Sequence, residues 1–187
     1  MLVDSDPDRA ASLEAALQRT GYTQVVRVGV QECLMTAVRQ HQPDMVIIEM
    51  DSPDRDILEG LGRVSREHPK PIVFFAGQSD PATTRAAIRA GVSAYVVGDL
   101  PSQRLHTVLE VAIARFQEHQ QLKLELADYK LRLHERKDVE KAKGILMQHR
   151  QISEDEAYKA LRKLAMDRNM RIGEAARHFI VALELLG

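Results

Sequence analysis

The stretch Val139-Glu140-Lys141-Ala142-Lys143-Gly144-Ile145-Leu146-Met147, together with the residues from Gln148 to Gly187, decides how the chain divides. It lies on the first of three predicted helices, which runs to about Gln148. Ile152-Ser153-Glu154-Asp155-Glu156 restarts the chain. Ser153 and Glu156 have the spacing of a capping box, in which each side chain satisfies an orphan backbone N–H of a new helix. Ala157, Leu161, Leu164 and Ala165 continue at helical spacing and give that helix one apolar face. The polar joint Asp167-Arg168-Asn169 ends it. A third amphipathic helix carries Ile172, Ala175, Ala176, Phe179, Ile180 and Leu183. Residues 135–187 therefore form a compact all-α unit.

Upstream, no Pro or Gly occurs between Leu105 and Gly144. Leu122, Leu126, Tyr129 and Leu133 recur at alternating steps of four and three, a heptad seam. Lys123, Glu125, Asp128, Lys130 and Arg132 flank it. One continuous helix is expected, with residues 119–134 as a linker. Its seam fits a parallel coiled coil with a second copy, or a monomeric helix folded back on the front domain.

The front, residues 1–118, alternates strand and helix. Leu2-Val3 is a short apolar strand, shorter than a first strand usually is, so a native start further upstream is an open expectation. Asp6-Pro7 caps and opens a helix that carries Leu13, Ala16 and Leu17 and stops at Gly21. Val25 to Val28 is a strand, and Cys33 to Arg39 lies on the next helix. Met45-Val46-Ile47-Ile48 reads as a buried strand. A loop from Glu49 to Asp56 leads to a helix near Leu58 to Val64. Ile72-Val73-Phe74-Phe75 is another buried strand. Asp80-Pro81 repeats the cap, and Gly91 ends that helix. Ala94-Tyr95-Val96-Val97 is the last strand, and a helix begins near Pro101. Such alternation predicts a doubly wound parallel sheet of flavodoxin-like order 2-1-3-4-5, with the functional end beyond the strand carboxyl termini. Asp4, Ser5, Asp6, Glu49, Asp51, Ala76 and Gly98 stand there.

Composition excludes several classes. No apolar run approaches the roughly 20 residues of a membrane span. Asp4 and Asp6 stand where a signal peptide would be basic, and the lone Cys33 forms no internal disulfide, so a reduced, cytoplasmic setting is expected, with Cys33 as a small core residue. No nucleophile–base pair or closed metal-ligand set suggests an enzyme. Residues 1–118 hold 12 Lys/Arg against 16 Asp/Glu, whereas residues 134–187 hold 11 against 9. That asymmetry suits a sensor joined to a nucleic-acid reader, although so small a basic excess proves little alone.

The tail resembles the ANTAR domain, an RNA-binding antitermination module. The resemblance rests on Arg136, Lys137 and Glu140, then Ala142 to Met147, Glu156-Ala157-Tyr158, Leu161-Arg162, Ala165-Met166 and Arg171-Ile172 before Ala175. Ala142, Gly144 and Ala157 would equally suit a plain dimerisation tail as small core residues. RNA is held by basic residues and stacking groups. The candidates are Arg136, Lys137, Lys143, Lys159, Arg162, Lys163, Arg168 and Arg171, with Tyr158 as stacker or core residue. Lys159, Arg162 and Lys163 share a helix face. The resemblance implies paired hexanucleotide-loop hairpins in leader mRNA as the target, and two tails to hold them.

The front resembles a response-regulator receiver, part of a two-component system, with a degenerate phosphorylation site. The family's pattern puts Glu49 at the phospho-acceptor position, four residues before Pro53, Ala76 where a hydroxyl is usual and Gly98 where a Lys is usual. Glu49 is one methylene too long, Ala76 has no hydroxyl, and Gly98 has no charge. A pseudo-receiver governed by a protein partner is therefore expected. Asp4, Asp6 and Asp51 form an acidic pocket with Glu49. It reads as a solvated rim, as a residual Mg²⁺ site with Asp4 and Glu49 as ligands, or as an imitation of the activated state.

The whole chain resembles the nitrate-assimilation antitermination regulators, through Asp51 to Asp56, Pro71-Ile72-Val73, Ala90 to Tyr95, Leu109 to Phe116 and the ending Glu184-Leu185-Leu186-Gly187. That resemblance implies a cytoplasmic nitrate- or nitrite-sensing inhibitory protein as partner, and a homodimer when active. Two alternatives stay open: a phosphorylation-switched regulator using Asp51 or Glu49, and a DNA-binding transcription factor. Against the second, Ser153-Glu154-Asp155-Glu156 would repel phosphates.

Overall fold

The computed structural model describes residues 1–98 and 101–184. Contacts divide the chain into two units, Met1–Gln120 and Gln121–Gly187. The first unit contains β1 (Leu2–Asp4), α1 (Pro7–Arg19), β2 (Arg27–Val28), α2 (Leu34–His41), β3 (Val46–Met50), α3 (Arg55–Glu67), β4 (Ile72–Ala76), α4 (Pro81–Arg89) and β5 (Ala94–Val97). The helix α5 (Ser102–Arg150) runs unbroken through the division. The second unit continues with α6 (Glu154–Asp167) and α7 (Ile172–Glu184).

All strand pairs are parallel, in the order β2-β1-β3-β4-β5. Successive strand residues face opposite sides of a sheet, so a continuous apolar run serves two cores at once. Val46 and Ile48 of β3, with Ile72 and Phe74 of β4, pack against Leu34, Ala37 and Val38 of α2 and Leu61 and Val64 of α3. Ile47, Val73 and Phe75 face Ala16 and Leu17 of α1 and Leu105, Leu109 and Ala112 of α5. Phe74 stacks on Tyr95 with ring centroids 5.2 Å apart.

Helix starts obey local chemistry. The Asp6 carboxylate accepts from the N–H groups of Asp8 and Arg9, and Asp80 accepts from Ala82 and Thr83, each with Pro in the first turn. Three expectations need correction. The strand expected over Val25 to Val28 shortens to Arg27–Val28. The loop expected from Glu49 to Asp56 is shorter, because Glu49 and Met50 belong to β3 and Asp54 caps α3 through the Ile57 N–H. Cys33 is an exposed N-cap residue of α2, not a core residue, because the chain at that position has yet to turn inward.

The second unit buries Ala142, Leu146, Ala157, Leu161, Ala176 and Ile180 among the last turns of α5, α6 and α7. Three small alanines let the helices approach closely. Gly173 goes further: a Cβ there would fall 2.6 Å from the Glu135 Cβ. Gly144, by contrast, is exposed with open space where a Cβ would be, so it is not the small core residue it could have been. Non-glycine residues at positive φ make both turns, Gln151 before α6 and Asn169 after it. Of the chain ending Glu184-Leu185-Leu186-Gly187, Leu185 to Gly187 lie outside the described residues.

The capping box at α6 is formed in full: the Ser153 hydroxyl accepts from the Glu156 N–H, and the Glu156 carboxylate accepts from the Ser153 N–H at 2.9 Å. Ser153→Ala is expected to cost about 1 kcal/mol, read as a lowered melting temperature of the C-terminal unit. Those hydrogen bonds, first from the Ser153 backbone, hold the Glu156 carboxyl below its usual range. A depressed carboxylate stabilises the fold above its unfolded value and loses that contribution as pH falls through the folded one. The protection factor of the residue-153 amide, taken against the intrinsic exchange rate at each pH, should therefore fall on acidification, and less so in Ser153→Ala.

Candidate functional site

Two places carry candidate chemistry, one in each unit. At the carboxyl ends of the strands, Asp4 is not part of a solvated rim: its side chain is 1% exposed. It lies at the end of β1, beside β3, with Asp4 registered against Glu49. A buried carboxylate requires a counter-charge. Arg9, in the first turns of α1, supplies it bidentately, with Nη2 donating to Oδ1 at 2.7 Å and Nε to Oδ2 at 3.0 Å. The same guanidinium reaches the Glu49 carbonyl at 3.4 Å, the Glu49 carboxylate at 3.6 Å and the Asp51 carboxylate at 4.0 Å. The hydrogen bond to Asp4 leads in holding Arg9 more firmly protonated than usual.

Asp6 does not belong to this cluster as a ligand, because its carboxylate is spent on capping α1. Asp51 is mostly in solvent, its side chain 87% exposed. Around the cluster lies a cavity of about 390 Å³, lined among others by Arg9, Ser12, Glu49, Asp51, Ala76 and Gly98. Ala76 and Gly98 line it without a hydroxyl or an amine, and Gly98 sits at φ +80° with its N–H donating to the Ala76 carbonyl. The sequence pattern points to the acids and misses Arg9. The available signal is a basic residue one turn into a helix that comes after an acidic strand end.

In the second unit, α6 presents Lys159, Arg162 and Lys163 to solvent, with Tyr158 beside them 44% exposed. Arg168 and Arg171 are exposed at the α6–α7 joint. There a shallow cavity is lined by Ala165, Met166, Asn169, Met170, Arg171 and Glu174. The Arg171 guanidinium pairs loosely with Glu135 at 3.8 Å, while its backbone N–H donates to the Glu174 carboxylate at 3.0 Å. Arg136 and Lys137 are exposed on α5.

Lys143 has to be removed from this surface. Its side chain is 10% exposed, and its ammonium lies 2.9 Å from Glu140 and 2.6 Å from Glu154. The hydrogen bonds, Glu154 first, raise its pKa and lower that of Glu154. It joins α5 to the start of α6 and has no ammonium to spare for a phosphate. The seam residues Leu122, Leu126, Tyr129 and Leu133 are all more than half exposed. An Arg132–Asp128 pair at 2.9 Å flanks them.

The ANTAR domain model matches residues 127–180, and the response regulator receiver domain model matches residues 1–110. The chain belongs to the ANTAR response regulators. It is 32% identical over 175 residues to the transcriptional regulatory protein PdtaR of Mycobacterium tuberculosis, covering 94% of this chain and 84% of that one. It is 45% identical over 75 residues to the nitrate regulatory protein of Klebsiella oxytoca, covering 39% of this chain and 19% of that one. The receiver domain of a modulated diguanylate cyclase from Desulfovibrio desulfuricans superposes with a TM-score of 0.52 at 24% identity, covering 63% of this chain and 94% of that one, and shares its fold. As an ANTAR response regulator the chain is a transcriptional regulator and not an enzyme. No helix among the described residues is long and apolar enough to cross a membrane.

Proposed function

We propose that this ANTAR response regulator is an RNA-binding transcription antiterminator. It holds paired hairpins in leader mRNA and prevents termination, in genes of nitrate or nitrite assimilation. A cytoplasmic nitrate- or nitrite-sensing inhibitory protein controls it through the degenerate receiver. The observation that carries this reading is the exposed basic face of α6, Lys159, Arg162 and Lys163, continued by Arg168 and Arg171 at the joint. Similarity over 75 residues to a nitrate regulatory protein supports the choice of genes. The solvent-facing seam on α5 supports a homodimer, since a second copy would cover it and bring two RNA surfaces together.

Single-stranded loops are read by splayed bases and backbone shape, and the negative start of α6, Glu154-Asp155-Glu156, disfavours entry into a DNA groove. The deciding experiment is a gel shift of the full chain with leader hairpins and with duplex DNA of the same sequence, with and without the proposed inhibitory protein. Retarded hairpins, unretarded duplex and release on adding the partner are the expected results. Preferential retardation of the duplex would overturn the reading in favour of DNA binding.

A further inference from the structure

Receivers that transfer phosphate do so around Mg²⁺, so the acidic pocket has to be tested for its fit to that ion. Mg²⁺ requires near-octahedral oxygen ligation at about 2.0–2.1 Å, with carboxylate oxygens aimed at one point. Here both oxygens of Asp4 accept from one guanidinium, at 2.7 and 3.0 Å, and Oδ1 also accepts from the Asp6 N–H at 2.8 Å. The backbone carbonyl and the carboxylate of Glu49 and the carboxylate of Asp51 lie around the same group at 3.4, 3.6 and 4.0 Å. Among the described residues, no group of three or more His, Cys, Asp or Glu is arranged to hold a metal ion. The pocket does not fit Mg²⁺.

We propose that Arg9 is the resident cation of this pocket, occupying the position among Asp4, Glu49 and Asp51 that a divalent ion would need, so that charge compensation is permanent and no ion is taken from solution. The 1% exposure of the Asp4 side chain calls for this: a desolvated charge is costly unless it is paired, and the guanidinium fork reaches both of its oxygens, with the Asp6 N–H a further donor to Oδ1 at 2.8 Å. The guanidinium also ties α1 to the ends of β1 and β3, so the end of the sheet that phosphorylation would remodel is already cross-linked by charge. This compensation belongs to the receiver alone and holds whatever nucleic acid the tail binds.

Two measurements on the full chain test it. Mn²⁺ at millimolar concentration should leave the amide signals of Asp4, Glu49 and Gly77 unbroadened in NMR spectra, and Mg²⁺ should not raise the melting temperature. Selective broadening of those amides would overturn the proposal. Arg9→Ala should lower the melting temperature of the receiver by about 10 °C, because a buried carboxylate loses its counter-charge and keeps the Asp6 N–H as a donor. Arg9→Ala combined with Asp4→Asn, which removes that charge, should recover a large part of the loss. If Arg9→Ala melts like the wild type, or if the second change adds its own loss to the first, the guanidinium is not compensating Asp4 and the proposal fails. Should Arg9→Ala not fold, the Mn²⁺ measurement on the wild type still decides.

Discussion

Replacing Lys163, Arg168 and Arg171 together by Ala is expected to weaken hairpin binding by about a thousandfold without changing helix content. The magnitude assumes about 1.5 kcal/mol for each charge-assisted contact to RNA. All three side chains are exposed, so their loss disturbs little of the fold. Arg168 caps α6 through its backbone N–H, which donates to the Leu164 carbonyl and survives the substitution. Arg171 gives up only a loose, solvent-screened pair with Glu135. The salt dependence provides a second readout. Each phosphate contact on single-stranded RNA contributes about 0.7 to the slope of log affinity against log salt, so the slope should fall by about 2. Unchanged affinity in the triple variant, measured by gel shift at two salt concentrations, would move the RNA surface elsewhere. Lys143→Ala makes an instructive contrast: because its ammonium is held between Glu140 and Glu154, its loss should appear first in the melting of the C-terminal unit.

The second large effect is expected from Leu161→Ala. Leu161 is 1% exposed and packs with Ala142, Leu146, Ala157, Ala176 and Ile180. Removing a fully buried Leu side chain costs about 2–5 kcal/mol, through lost transfer energy and the cavity left behind. A unit of this size has on the order of 3–10 kcal/mol of stability in all, so the substitution removes a large share of it. Full-chain thermal unfolding followed by circular dichroism should show a transition at lower temperature that carries α6 and α7. Amides of β3 and β4 should keep their exchange protection. A melting profile that does not change would show that the three helices do not depend on this contact.

The two halves were legible to different depths. In the first, apolar runs such as Met45 to Ile48 and Ile72 to Phe75 announce buried parallel strands, and Asp-Pro pairs announce helix starts, because both depend on local chemistry. The strand order came from the alternation. The capping box at Ser153 and Glu156 was equally local. What sequence could not supply were contacts across space. Arg9 belongs to a cluster assembled by β1, α1 and β3, and nothing in the spacing of Asp4, Glu49 and Asp51 reveals that a guanidinium lies among them. Lys143 looked like one more basic residue, since only folding brings Glu154 of the next helix over it. Cys33 looked apolar enough for a core, yet it stands at the hinge into α2. The burial of Ala157 and Ala176 was readable from helical period; Ala142 and Gly144 were readable only as small residues that would suit a core, and of the two Ala142 is buried and Gly144 exposed.

The backbone at Gly98 bears on what a rebuilt pocket would require. With φ at +80°, a lysine at that position would carry backbone strain even though a Cβ there would meet open space. Installing the acceptor, hydroxyl and lysine pattern of the receiver family would also demand a shorter acid at Glu49, a hydroxyl at Ala76 and a displaced Arg9. On the proposed reading of the pocket, no one of these substitutions alone would equip it for phosphotransfer.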